Sequence, residues 1–88
     1  TTQFKKDFKR IKNNIDKVKA LFNIVGKLAN GEAIPEEYAP HPLTGNFKNH
    51  MECHIENDFL LIWFDKEVDV IKLVRLGTHS ELFGKTKR

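Results

Sequence analysis

Residues 41–64 read HPLTGNFKNHMECHIENDFLLIWF, and the fold turns on how this stretch divides. From His50 to Ile55 the pattern alternates: Met51, Cys53 and Ile55 fall on one side, His50, Glu52 and His54 on the other. That period predicts a strand with one packed face and one available face. Glu56-Asn57 then reads as a turn, Phe59–Phe64 as an apolar strand, Asp65-Lys66-Glu67 as a second turn and Val68–Leu76 as a third strand. Strands joined so tightly pair antiparallel. Glu52, His54 and Asp58 stand where strand meets turn, and proton-transfer groups gathered at an element's end make a candidate site.

Ahead of this unit the period changes. Phe4, Phe8, Ile11 and Ile15 recur at spacings of four, three and four, which predicts a helix with Thr1 and Thr2 available as caps. Asn13, with Asp16 three residues on, is the expected cap of a second helix, whose stripe runs Ile15, Val18, Leu21, Phe22, Val25, Leu28 and Ala29. Asn30-Gly31 ends it, the glycine being free to take the left-handed conformation of a helix terminus. The expected architecture is therefore α+β, an N-terminal helical hairpin laid on an antiparallel sheet. Between the two parts, Glu32–Asn49 carries Pro35, Pro40, Pro42 and Gly45 without a sustained period and reads as loop. The basic tail Lys85–Arg88 is expected to fray.

Eighty-eight residues, 40% apolar, make one small domain over residues 1–88 with one core. The chain opens at Thr1 without a methionine, which reads as a missing true beginning. Residues 1–28 hold eight Lys and Arg against two Asp, so the positive charge is concentrated in the helices. A basic half suits an anionic partner such as RNA. Cys53 is the only cysteine, which rules out an internal disulfide and points to a reducing compartment, the cytoplasm. No stretch is long and apolar enough for a membrane span, and no signal-peptide pattern is present.

Several kinds of chemistry compete for these residues. His50 and His54, with Cys53 beside them, have chelate spacing on a helix, but on a strand positions i and i+4 lie about 13 Å apart, so no metal and no other cofactor is expected. Cys53 falls on the packed face, where a free cysteine behaves as a small hydrophobe. General acid-base work fits better. His54 and Asp58 flank one turn, and the third strand brings Arg75 and, past Gly77, His79 toward the same end of the sheet. Acid, base and cation without a metal suffice for RNA cleavage, because RNA supplies its own 2′-hydroxyl nucleophile.

Three blocks extend this reading by resemblance: His41-Pro42-Leu43-x-Gly45; Glu52-Cys53-His54-Ile55-x-x-Asp58-x-Leu60-Leu61-Ile62; and Arg75-x-Gly77-Thr78-His79-x-x-Leu82-Phe83. In order and spacing they closely resemble the YafQ-like branch of the RelE superfamily of bacterial toxins, and the helical pair fits as well. The resemblance implies a RelE-like fold whose first edge strand is largely absent from this chain. It implies an mRNA endoribonuclease of a type II toxin-antitoxin pair, acting on translating ribosomes, restrained by an antitoxin protein and meeting DNA only through that antitoxin. The family's catalytic histidines and carboxylates match His41, Glu52, His54, Asp58 and His79, and its C-terminal aromatic matches Phe83 as an RNA contact. Lys5, Lys6, Lys9, Arg10 and Lys48 are the expected phosphate-binding cations, with Arg75 at the transition state. The chain departs from its relatives at Met51, commonly arginine, at Asn57, commonly proline, and at Trp63, usually tyrosine. Met51 sustains the alternative: a non-catalytic RNA- or partner-binding module on the same fold.

Overall fold

Four antiparallel strands lie side by side in chain order, and two helices cover one face of the sheet they form. The computed structural model describes residues 2–56, 58–64 and 71–84. Helix α1 spans Thr2–Lys9, α2 spans Ile15–Ala29, and strands β1 to β4 are His41–Pro42, Met51–Glu56, Phe59–Phe64 and Lys72–Gly77. A short helix α3, His79–Phe83, follows β4, so the expected α+β architecture holds. The expected cap at Thr1, Asn57 of the first turn, the 65–67 turn, the start of the third strand at 68–70 and the 85–88 tail lie outside the described residues.

The helical pair differs from the sequence reading in phase. The cap of α2 is Asn14, not Asn13: its side-chain oxygen accepts the Lys17 amide at 3.1 Å, the third helical position that a cap of this kind serves. Leu21 and Ile24 enter the core, while Ile15 and Phe22 are exposed, although both belong to the expected stripe. Phe22 stacks on Phe8 of α1 at 6.3 Å instead. Ile24, absent from the expected stripe, is fully buried, and truncating such a residue to alanine costs about 2–5 kcal/mol. Gly31 takes φ +72 beyond the Asn30 cap, as the turn requires.

On α1 the most buried residue is charged. Asp7, 1% exposed, accepts Arg75 Nε at 2.8 Å and the Leu76 amide at 3.0 Å, tying the helix to β4. Burial alone would raise its pKa, but the hydrogen bond from Arg75, then those from Leu76 and Gln3, outweigh burial and hold the carboxyl below its ordinary value.

Two further corrections concern the site. The stretch expected to be loop contains β1, in which His41 pairs with Glu52 and Pro42 with Met51 along the edge of β2. The face expected to stay open is partly roofed. Cys53, Ile55, Phe59, Leu61 and Trp63 point into the helical core, whereas Leu60 and Ile62 pack on the other face beneath Leu82 of α3, with Phe47 and Leu43 alongside. Glu52 lies directly across from Ile62, and only 3% of it is exposed.

Candidate active site

The site gathers at the β1 edge and at the end of β4, where His41 of β1, Glu52 and His54 of β2, Asp58 of the following turn, and His79 and Phe83 of α3 converge. Two carboxylate–histidine pairs flank His54. In the first, Glu52 Oε1 lies 3.0 Å from His41 Nε2 and 4.0 Å from His54 Nε2. The second nitrogen of His41, Nδ1, lies 2.7 Å from the Ala39 carbonyl, which can only accept, so Nδ1 carries a proton. Nε2 therefore faces Oε1 across the 3.0 Å contact. Glu52 Oε2 is buried and receives no hydrogen bond from any described residue.

The second pair is Asp58–His79. Asp58 Oδ1 accepts the His79 backbone amide at 3.0 Å and the ring Nδ1 proton at 2.5 Å. These bonds, the backbone one first, hold the Asp58 carboxyl below its ordinary pKa. The ring's tautomer is thereby fixed, with Nε2 left free to exchange a proton. Local sequence puts His79 there. Thr78 caps α3 by accepting the Glu81 amide at 3.2 Å, and Glu81 Oε1 accepts the Thr78 amide at 2.8 Å, a reciprocal cap. Gly77 makes room for it: a Cβ at this position would come within 2.7 Å of Glu81 Oε1. The Thr78-x-x-Glu81 spacing was the available signal for α3.

The rings of His41, His54, His79 and Phe83 follow one another at 6.1, 5.8 and 6.0 Å. His50, not among the expected site residues, lies beyond this group, its Nδ1 3.1 Å from the Lys48 carbonyl. Other expected site residues stand apart. Arg75 bonds Asp7, and Arg10 reaches Glu81 Oε2 at 3.4 Å, so both also serve the framework. Lys5, Lys6, Lys9 and Lys48 are exposed. Cys53 is buried and its thiol is pushed up to about 12 by burial, then by the Glu52 charge, which suits an inert core residue.

One grouping was not legible in the sequence. Glu52, His54 and His79 each place a ligand atom within 4.8 Å of the others, a possible cation site made by tertiary contact and not by the His50–His54 spacing. No helix among the described residues is long and apolar enough to cross a membrane.

Residues 1–84 match the model of a family described as the bacterial toxin of type II toxin-antitoxin system, YafQ. The mRNA interferase toxin YafQ of Escherichia coli K12 is 34% identical over 86 residues, 93% of this chain and 89% of that protein. A metal-bound toxin from Helicobacter pylori has the same fold at TM-score 0.82 and 42% identity, covering 94% of this chain and 93% of that one. The E. coli DinJ-YafQ complex contains a chain similar at TM-score 0.75 and 31% identity, over 96% of this chain and 93% of that one.

Proposed function

The chain belongs to the YafQ family of toxins from bacterial type II toxin-antitoxin systems, and from that membership we propose an RNA cleavage in which His54 and His79 act as base and acid. It is an mRNA interferase, an endoribonuclease toxin whose partner is a cognate antitoxin. The substrate is mRNA presented in the cytoplasm by translating ribosomes, and DNA is met only through the antitoxin. His54 removes the 2′-hydroxyl proton, the 2′-oxygen attacks phosphorus, and the P–O5′ bond breaks as His79 Nε2 delivers a proton to the leaving oxygen. The products are a 2′,3′-cyclic phosphate and a 5′-hydroxyl.

The observation that carries this reading is the Asp58–His79 pair, whose ring lies 5.8 Å from that of His54. Because Asp58 Oδ1 already accepts two protons from His79, His54 is the better base of the two. Glu52 orients His54 and His41 from below, while Lys48 adds positive charge near the RNA and Arg75, bonded to Asp7, holds the strand that leads to His79. Phe83 stacks on a base beside the acid. Lys5, Lys6, Lys9 and Arg10 add sequence-independent attraction to RNA. The test is incubation of purified protein with RNA in EDTA, and separately with programmed ribosomes. Cleavage in neither would favour the non-catalytic module.

A second reading rests on the Glu52–His54–His79 grouping. One carboxylate and two imidazoles, each offering one ligand atom, suit zinc or copper. Bound there, such an ion supplies Lewis acidity. It also takes the nitrogen lone pairs that His54 and His79 need for proton transfer, so this chain's acid-base chemistry is expected to be inhibited by it.

A further inference from the structure

The ring row at the site does not stop at Phe83. Phe47 meets Phe83 edge-on at 5.8 Å, His50 meets Phe47 edge-on at 5.8 Å, and Phe64 lies 5.2 Å from His50. Seven rings, from His41 to Phe64, thus form an unbroken path with no step longer than 6.1 Å. His50, Phe47 and Phe64 are half-buried and keep part of their rings at the surface. The proposed catalysis uses only the first part of the path.

We infer that His50, Phe47 and Phe64 form a second RNA subsite, which takes the bases of nucleotides on the 3′ side of the cleaved bond. This rests on the endoribonuclease reading. The direction follows from the acid: His79 serves the leaving 5′-oxygen, which belongs to the 3′ nucleotide, and the path continues from His79 through Phe83 toward His50. Aromatic rings with part of their faces at the surface accept any base by stacking. The His50 ring is held for this purpose. Its Nδ1 proton goes to the Lys48 carbonyl, which leaves Nε2 as the acceptor nitrogen for a base amine or a 2′-hydroxyl. Lys48, exposed beside it, supplies a cation for the phosphate that accompanies such a base.

The test measures binding of 2′-O-methyl oligoadenylates of two to six nucleotides, which lack the nucleophile and cannot be cleaved. Wild-type affinity is expected to rise with length. His50→Ala should flatten the rise, weakening the longer oligomers roughly ten- to a hundredfold while the dinucleotide changes little. His50→Tyr keeps a ring and should keep most of the length dependence. A 5-iodouridine at the 3′ end should crosslink at His50 or Phe64, and one at the 5′ end should not. The inference falls if wild-type affinity is independent of length, if His50→Ala weakens every length equally, or if the crosslink comes from the 5′ end. The endoribonuclease reading itself fails separately, when unmodified mRNA survives wild-type protein both free and on ribosomes.

Discussion

Asp58 holds His79 twice through one oxygen, by the backbone amide at 3.0 Å and by ring Nδ1 at 2.5 Å. The turn between β2 and β3 thereby fixes both the position and the tautomer of a residue 21 positions later in the chain. Asp58→Asn, whose amide permits either orientation, should lower single-turnover cleavage at least about tenfold. In the proposed mechanism both residues serve one proton transfer, so Asp58→Asn combined with His79→Gln should be little worse than His79→Gln alone. Additive losses would show that Asp58 acts independently.

His79→Gln retains a hydrogen-bonding side chain but removes the transferable proton. Cleavage should fall by about 10² to 10⁴, with melting temperature and antitoxin affinity near wild type. A 5′-thio leaving group needs less protonation and should recover much of the loss. Failure of that rescue would make His79 an orienting residue and move the acid to His54 or His41.

Asp7 is expected to be the main source of acid sensitivity. Its folded pKa lies below its unfolded value, so its contribution is complete above the unfolded pKa, about 3.9, and is lost as pH falls from there through the folded value. Asp7→Asn leaves Arg75 without its charged partner and should cost about 3–5 kcal/mol at neutral pH. Urea titrations from pH 7 to pH 2 should show the two proteins converging at the acid end. A constant gap would place the acid sensitivity elsewhere.

Cleavage should persist in EDTA, and micromolar zinc or copper should suppress it. His54→Gln should weaken copper binding, read by calorimetry, because it removes one of three donors. Activity lost in chelator and restored by metal, with the fold unchanged, would reverse the roles assigned here.

Lys5, Lys6 and Lys9 changed together to glutamate should weaken RNA or ribosome binding and flatten its salt dependence by roughly 0.7–0.9 in the log–log slope for each phosphate no longer neutralised. Arg10 is left out of that variant because it also bonds Glu81. An unchanged slope would show that this helix face is only solvated.

The legible parts of the fold were those whose period is local. The Cys53 and Ile55 side of β2, the apolar run of β3 and the Gly31 helix end all involve near neighbours, and each appears as expected. Asp7 was not legible, because a charge on an amphipathic helix reads as solvent-facing until its partner, 68 positions away, is known. Glu52 was assigned to an open face for a similar reason: it is 3% exposed in the fold, and alternation along a strand says nothing of what covers either side. β1 escaped notice because two residues containing a proline carry no period. At the site, the motif blocks named His41, Glu52, His54, Asp58, His79 and Phe83, which the fold brings near one another, while the division into two carboxylate–histidine pairs depended on contacts between elements.

The Asp7 anchor also dictates an order of assembly. Strands β1 to β3 pair between neighbours in sequence, so the half of the site holding His41, Glu52 and His54 can form early, whereas α1 has no buried partner for its carboxylate until Arg75 and Leu76 have been synthesised. His79 comes later still. A chain that ends ahead of β4 therefore has His54 but neither His79 nor the Arg75 and Leu76 groups that receive the Asp7 carboxylate.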